Sequence, residues 1–78
     1  MIHIVMPRLG LTQESGTIIE WCKCVGDHIS QGDIVLIIET DKVVSEVLAE
    51  YNGIIEEILV EPGAEVPVFT PLAVLRED

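Results

Sequence analysis

Apolar residues along this chain fall in short clusters, and each cluster is closed by Gly, Pro, Asn or Asp. Ile34-Val35-Leu36-Ile37-Ile38 and Val43-Val44 to Leu48 are rich in β-branched residues, so each reads as a strand. Only Glu39-Thr40-Asp41-Lys42 separates them, and these polar residues must turn the chain. A type I turn needs no glycine and suits Thr, Asp and Lys. The pattern therefore predicts a β-hairpin with Asp41 and Lys42 at its tip. No apolar stretch holds a 3.6-residue period for three turns, which argues against helix.

The remaining strands follow in order. Ile2 to Met6 is the first, and Pro7 to Glu14 is an eight-residue loop with Gly10 as its turn. Gly16 to Cys22 is the second strand. Val25-Gly26-Asp27-His28 turns into a very short strand at Ile29, and Gln31-Gly32-Asp33 turns again into Ile34 to Glu39. Beyond the hairpin, Tyr51-Asn52-Gly53 leads to a strand from Ile54 to Val60, ended by Glu61-Pro62-Gly63. A Glu65-Val66 piece precedes Pro67, and Leu72 to Leu75, after Pro71, is the last strand.

The two halves repeat at an offset of 37: Gly16 meets Gly53, Ile18 meets Ile55, Glu20 meets Glu57 and Gly26 meets Gly63. Identities are few, and the matched order of strand, glycine turn, short strand and long strand carries the repeat. It implies halves related by an approximate two-fold axis. The same offset carries residues 40–43 onto residues 3–6 and, in the other direction, onto the end of the chain. Lys42 is thus expected at one end of the molecule and both termini at the other.

Composition narrows the class. Seventy-eight residues make one domain, residues 1–78, and 49% apolar residues suffice for one small core. Trp21, Tyr51 and Phe69 are the only aromatics, so the core must be mostly Ile, Val and Leu. The expected fold is all-β, a sandwich or barrel. A net charge of −10 disfavours nucleic acid and anionic membrane, keeps the isolated domain monomeric and favours basic partners. No run is long enough to span a membrane. Cys22 and Cys24 lie two apart on an expected strand, face the same way and do not readily bridge. Two cysteines make no disulfide framework, which suits a reducing compartment. Without suitably spaced histidines they also make a poor metal site. His3 and His28 read as surface residues, and Trp21 as a core or edge filler.

Several motifs in order resemble the lipoyl domain of 2-oxo acid dehydrogenase complexes, within the biotinyl/lipoyl-carrier family. They are Met6-Pro7-Arg8-Leu9-Gly10, Glu14-Ser15-Gly16-Thr17-Ile18 with Trp21, Val25-Gly26-Asp27 with Gly32-Asp33, Glu39-Thr40-Asp41-Lys42-Val43, and Gly53 with Val60-Glu61-Pro62-Gly63 and Val66-Pro67-Val68. The resemblance implies a flattened β-barrel (a barrel-sandwich hybrid) of two four-stranded antiparallel sheets with internal pseudo-two-fold symmetry. It implies that a lipoate ligase or lipoyl/octanoyl transferase joins lipoate to Lys42 by an amide, helped by Glu39 and Gly26, with Asp41 and Val43 shaping the turn. It further implies a swinging-arm carrier without a catalytic centre of its own. Its arm would serve a thiamin-diphosphate decarboxylase, an acyltransferase core and dihydrolipoamide dehydrogenase, in a bacterial cytoplasm or a mitochondrial matrix. The loop Pro7 to Glu14 would lie beside the hairpin and contribute to recognition by the decarboxylase. The chain would be the amino-terminal part of a dihydrolipoamide acyltransferase.

Lys42 is one of two lysines in the chain, so a tip lysine here is a distinctive attachment point. Three other readings compete. A biotin carrier of a carboxylase would place methionines on both sides of the lysine, where this chain has Asp41 and Val43. A glycine-cleavage carrier would be longer and carry extra helix. An unmodified barrel-sandwich interaction module would have no need of Asp41-Lys42 at the tip. Thr12-Gln13, Cys24, Tyr51-Asn52 and Phe69-Thr70 depart from the usual family residues.

Overall fold

The computed structural model describes residues 1–77 and contains eight strands. They are β1 (Ile2–Val5), β2 (Ser15–Trp21), β3 (His28–Ile29), β4 (Ile34–Glu39), β5 (Val44–Leu48), β6 (Gly53–Ile58), β7 (Glu65–Pro67) and β8 (Pro71–Glu77). All pairings are antiparallel, in two four-stranded sheets ordered β1-β8-β6-β3 and β5-β4-β2-β7. The expected architecture is present. Strand ends differ by a residue or two: Met6, Cys22 and Val43 lie outside the strands, and Pro71 opens β8. A proline has no N–H to donate and fits the first residue of a strand.

The repeat is a property of the fold. Replacing β2, β3 and β4 by β6, β7 and β8, and β5 by β1, turns one sheet order into the other. Registers agree: Ile18 faces Ile38 as Ile55 faces Leu75, and both ladders carry a bulge two residues on. Turns agree as well. The Gly26 N–H donates to Ile55 O at 2.8 Å, and the Gly63 N–H to Ile18 O at 2.7 Å. Gly26 and Gly63 have φ of +92° and +93°, a region where glycine is at ease and other residues are strained.

One part of the sequence-based mapping is corrected. β5 matches β1 at an offset of 43, since Ile37 faces Glu46 where Val74 faces His3. The difference from 37 is six residues, and they lie in the loop between β1 and β2. Residues 40–43 therefore have no counterpart at residues 3–6; the corresponding position falls ahead of Met1.

The core is aliphatic. Met6, Ile18, Ile29, Val35, Leu36, Ile38, Ala49, Ile55, Leu72, Ala73 and Leu75 are buried between the sheets, and no aromatic joins them. Trp21 is half-buried and donates its indole N–H to Val60 O at 3.0 Å, an edge role.

The registers place Lys42 and the termini at opposite ends. At the hairpin end of one sheet, Thr17 faces Glu39 and Ser15 faces Pro67. The chain crosses from there to the other sheet within a few residues. Val68 N–H donates to Glu14 O at 3.0 Å, and Phe69 N–H to Met6 O at 2.8 Å. Val5 and Pro71 thus lie at the hairpin end, and Ile2, Leu75 and Glu77 run away from it.

Candidate functional site

The hairpin that carries Lys42 is built by β4 and β5, whose pairing runs from Ile34–Leu48 out to Glu39–Val44. Its root is rigid because Val35, Leu36 and Ile38 are fully buried. Beyond Glu39 four residues close the turn. Thr40 N–H donates to Val43 O at 2.8 Å. The Thr40 hydroxyl oxygen accepts from the backbone N–H groups of Lys42 (3.3 Å) and Val43 (3.2 Å). In a simple type I turn the Val43 N–H would bond to the Thr40 carbonyl; here it bonds to the side chain. Asp41 and Lys42 both keep negative φ, so the turn needs no glycine. Turn propensity points to Thr40, Asp41 and Lys42, and the resemblance to Asp41 and Val43, but neither singles out the Thr40 hydroxyl as an acceptor. A Thr ahead of a two-residue tip was the available signal, since its side chain can cap N–H groups two and three residues on.

Lys42 is exposed, as are Glu39, Asp41 and Val43 around it. Among the described residues the Lys42 ammonium has no hydrogen-bond or ion-pair partner. Gly26 is not brought to this group. It sits in the turn between β2 and β3, bonded to β6 of the other sheet, where its positive φ accounts for a glycine.

Two concavities flank the hairpin. One is acidic, about 380 Å³, and Glu14, Glu39, Asp41 and Glu65 lie on its walls. The second, about 200 Å³, lies between Lys42-Val43 and Leu9-Gly10-Leu11 of the β1–β2 loop. The loop holds its shape without being a strand. Gln13 is its staple: its Oε1 accepts from Leu9 N–H at 2.6 Å, and its Nε2 donates to Pro7 O and Ser15 O at 3.2 Å each. The Arg8 guanidinium donates to Gly10 O at 3.2 Å and to Leu11 O. The loop thus lies beside the hairpin as expected, and Gln13, a departure from the usual residues, is what orders it.

Residues 2–75 match the family model described as biotin-requiring enzyme, which unites biotin and lipoyl attachment domains. A pyruvate dehydrogenase E1 component subunit beta from Rhizobium meliloti (strain 1021) is 46% identical over 78 residues, 99% of this chain and 17% of that protein. A dihydrolipoyllysine-residue succinyltransferase component of 2-oxoglutarate dehydrogenase complex, from Staphylococcus saprophyticus, is 39% identical over 77 residues, 99% of this chain and 18% of that protein. The solution structure of the lipoyl domain of the 2-oxoglutarate dehydrogenase complex from Azotobacter vinelandii is similar with a TM-score of 0.80 and 38% identity, covering 99% of this chain and 98% of that one. The chain therefore belongs to the biotin–lipoyl attachment family, as a lipoyl domain. It spans less than a fifth of the length of the two curated relatives just named.

Proposed function

We propose that this domain carries lipoate in amide linkage on Lys42 and serves as the swinging-arm carrier of a 2-oxo acid dehydrogenase complex. The observation that supports this most is the placement of Lys42. It is an exposed, unpaired amine on the tip of a hairpin whose root is locked in the core. The residues present fit the group. An exposed amine on a hairpin tip can be presented to the active site of a lipoate ligase or a lipoyl/octanoyl transferase. Asp41 and Val43 replace the two methionines that the biotin reading calls for.

An exposed lysine ammonium is a compact, strongly hydrated charge. Amide formation removes that charge and takes the net from −10 to −11. When bound, the group supplies a dithiolane able to carry an acyl group and two electrons; the chain supplies position and identity. Thr40 holds the tip, and Glu39 and Asp41 present negative charge to basic active-site mouths. The termini leave at the far end, so the domain can be tethered from behind while its tip reaches the partners. Tethering of this kind raises the effective concentration of the arm at each site. The partners in this reading are a thiamin-diphosphate decarboxylase, an acyltransferase core and dihydrolipoamide dehydrogenase, and the reacting centres belong to them.

For the parent polypeptide, the acyltransferase reading is supported by the succinyltransferase relative. Fusion to a decarboxylase subunit is a second reading, favoured by the 46% identity to the E1 subunit beta.

Intact mass and peptide mapping after incubation with a lipoate ligase, lipoate and ATP test the attachment, with biotin and a biotin ligase in parallel. One lipoyl group on Lys42 alone is the expected result. Biotin on Lys42 would move the domain to the carboxylases. No addition by either would leave an interaction module.

A further inference from the structure

Leu9 and Leu11 are 46% and 89% exposed, on a loop held by hydrogen bonds of Gln13, Arg8 and the backbone that use neither leucine side chain. Val43, across the hollow, is 50% exposed. Isolated exposed apolar residues are ordinary, but these three face one concavity of about 200 Å³ on a strongly acidic protein. Lys42 is itself part of the wall. Whatever is attached to Lys42 is therefore held at the mouth of this hollow at high effective concentration, and reach does not limit its entry. A lipoyl group is an apolar five-membered ring on an apolar chain, and apolar surface leaves water favourably. A larger apolar cavity, about 230 Å³ between β1 and β5, has no residue of the hairpin tip on its wall.

We propose that the lipoyl arm on Lys42 rests, between visits to its partners, in the hollow between the hairpin tip and the β1–β2 loop, with its hydrocarbon chain against Leu9, Leu11 and Val43. The proposal rests on the lipoyl reading of Lys42 given above. The loop is ordered in advance by Gln13 and Arg8, so docking does not have to order it. The hollow is shallow enough for the arm to leave, and the docked state covers three apolar side chains that otherwise face water.

Methyl NMR of the domain before and after lipoylation tests this, with intact mass reporting modification of the same sample. The expected result is nuclear Overhauser contacts from the arm methylenes to the Leu9 and Leu11 methyls, with shifts at those methyls. Leu48, on the β1–β5 cavity, stays unmoved. In a Leu9→Ser, Leu11→Ser double variant both residues stay solvent-exposed, so the fold and its dispersed spectrum persist, and the arm methylenes relax as fast as those of free lipoamide. A fully lipoylated wild-type domain without these contacts, or with arm relaxation already equal to free lipoamide, overturns the docking and leaves the carrier reading standing. A domain whose mass shows no lipoyl group overturns the carrier reading, and the docking with it.

Discussion

At the scale of single residues, two kinds of glycine can be told apart by experiment. Gly16 and Gly53 are buried repeat mates where a Cβ has no room. At Gly16 the added atom would lie 2.7 Å from Met6 Sδ, the flexible end of a thioether that can shift. At Gly53 it would lie 2.4 Å from the Arg76 carbonyl oxygen, which is backbone and cannot. Gly53→Ala is expected to lose about 3 kcal/mol and Gly16→Ala about 1 kcal/mol, read from urea midpoints. Phe69 presents the reverse case. Its repeat mate is Gly32, and both have positive φ, +68° and +95°. A bulky residue there is strained by about 1–2 kcal/mol. Phe69 is 62% exposed, so it recovers little by packing. Phe69→Gly relieves the strain against an entropy cost of about 0.5–1 kcal/mol, and a higher urea midpoint by up to ~1 kcal/mol is expected. Lys42→Arg touches no packed atom. Its stability should stay within about 0.5 kcal/mol of wild type, and mass spectrometry should find no lipoyl group, because a guanidinium is not an amine nucleophile.

At the scale of elements, the hairpin separates what positions Lys42 from what makes it reactive. The β4 side chains anchor the root, and the Thr40 hydroxyl closes the tip. Thr40→Val keeps shape and removes the acceptor for two N–H groups. Water can replace it, so the expected loss of global stability is about 0.5–1.5 kcal/mol. Hydrogen exchange at the Lys42 and Val43 amides should rise by more than that global loss explains, and lipoylation should slow. Unchanged exchange at those two amides would refute the hydroxyl as the closing group. The turns that repeat between halves show how economical the fold is. Ala49 N–H to Asp33 O at 2.8 Å has its counterpart in Met6 N–H to Thr70 O at 2.9 Å. The halves diverge where six residues are added between β1 and β2, and those residues stand next to Lys42.

At the scale of the whole molecule, fourteen acidic residues against four basic ones make the compact state repel itself. Salt shortens the reach of that repulsion to about 10 Å at 0.1 M. Melting temperature should therefore rise as sodium chloride is raised from low ionic strength, and rise further for the lipoylated form, which carries one more unit of negative charge. A flat or falling melting curve would show that local ion pairs such as Arg76–Glu56, 3.0 Å apart, outweigh the net field. The opposed placement of Lys42 and the termini also belongs to this scale, since no single strand determines it.

The chain's own pattern determined the strands, the position of Lys42 on a tip and the repeat of its halves. These depend on properties written locally: β-branched clusters, glycine turns and a polar break between two apolar runs. Only the tertiary structure decided that β5 matches β1 at 43 and not 37, because an offset is visible in sequence only where side chains repeat, and the inserted loop repeats nothing. It also decided that the Thr40 hydroxyl closes the turn, that Gly26 serves a turn bonded to the opposite sheet, and that Leu9 and Leu11 come to lie beside Lys42. Each of these joins residues far apart in the chain or chooses among donors and acceptors, and such choices are settled by which backbone groups packing leaves without partners.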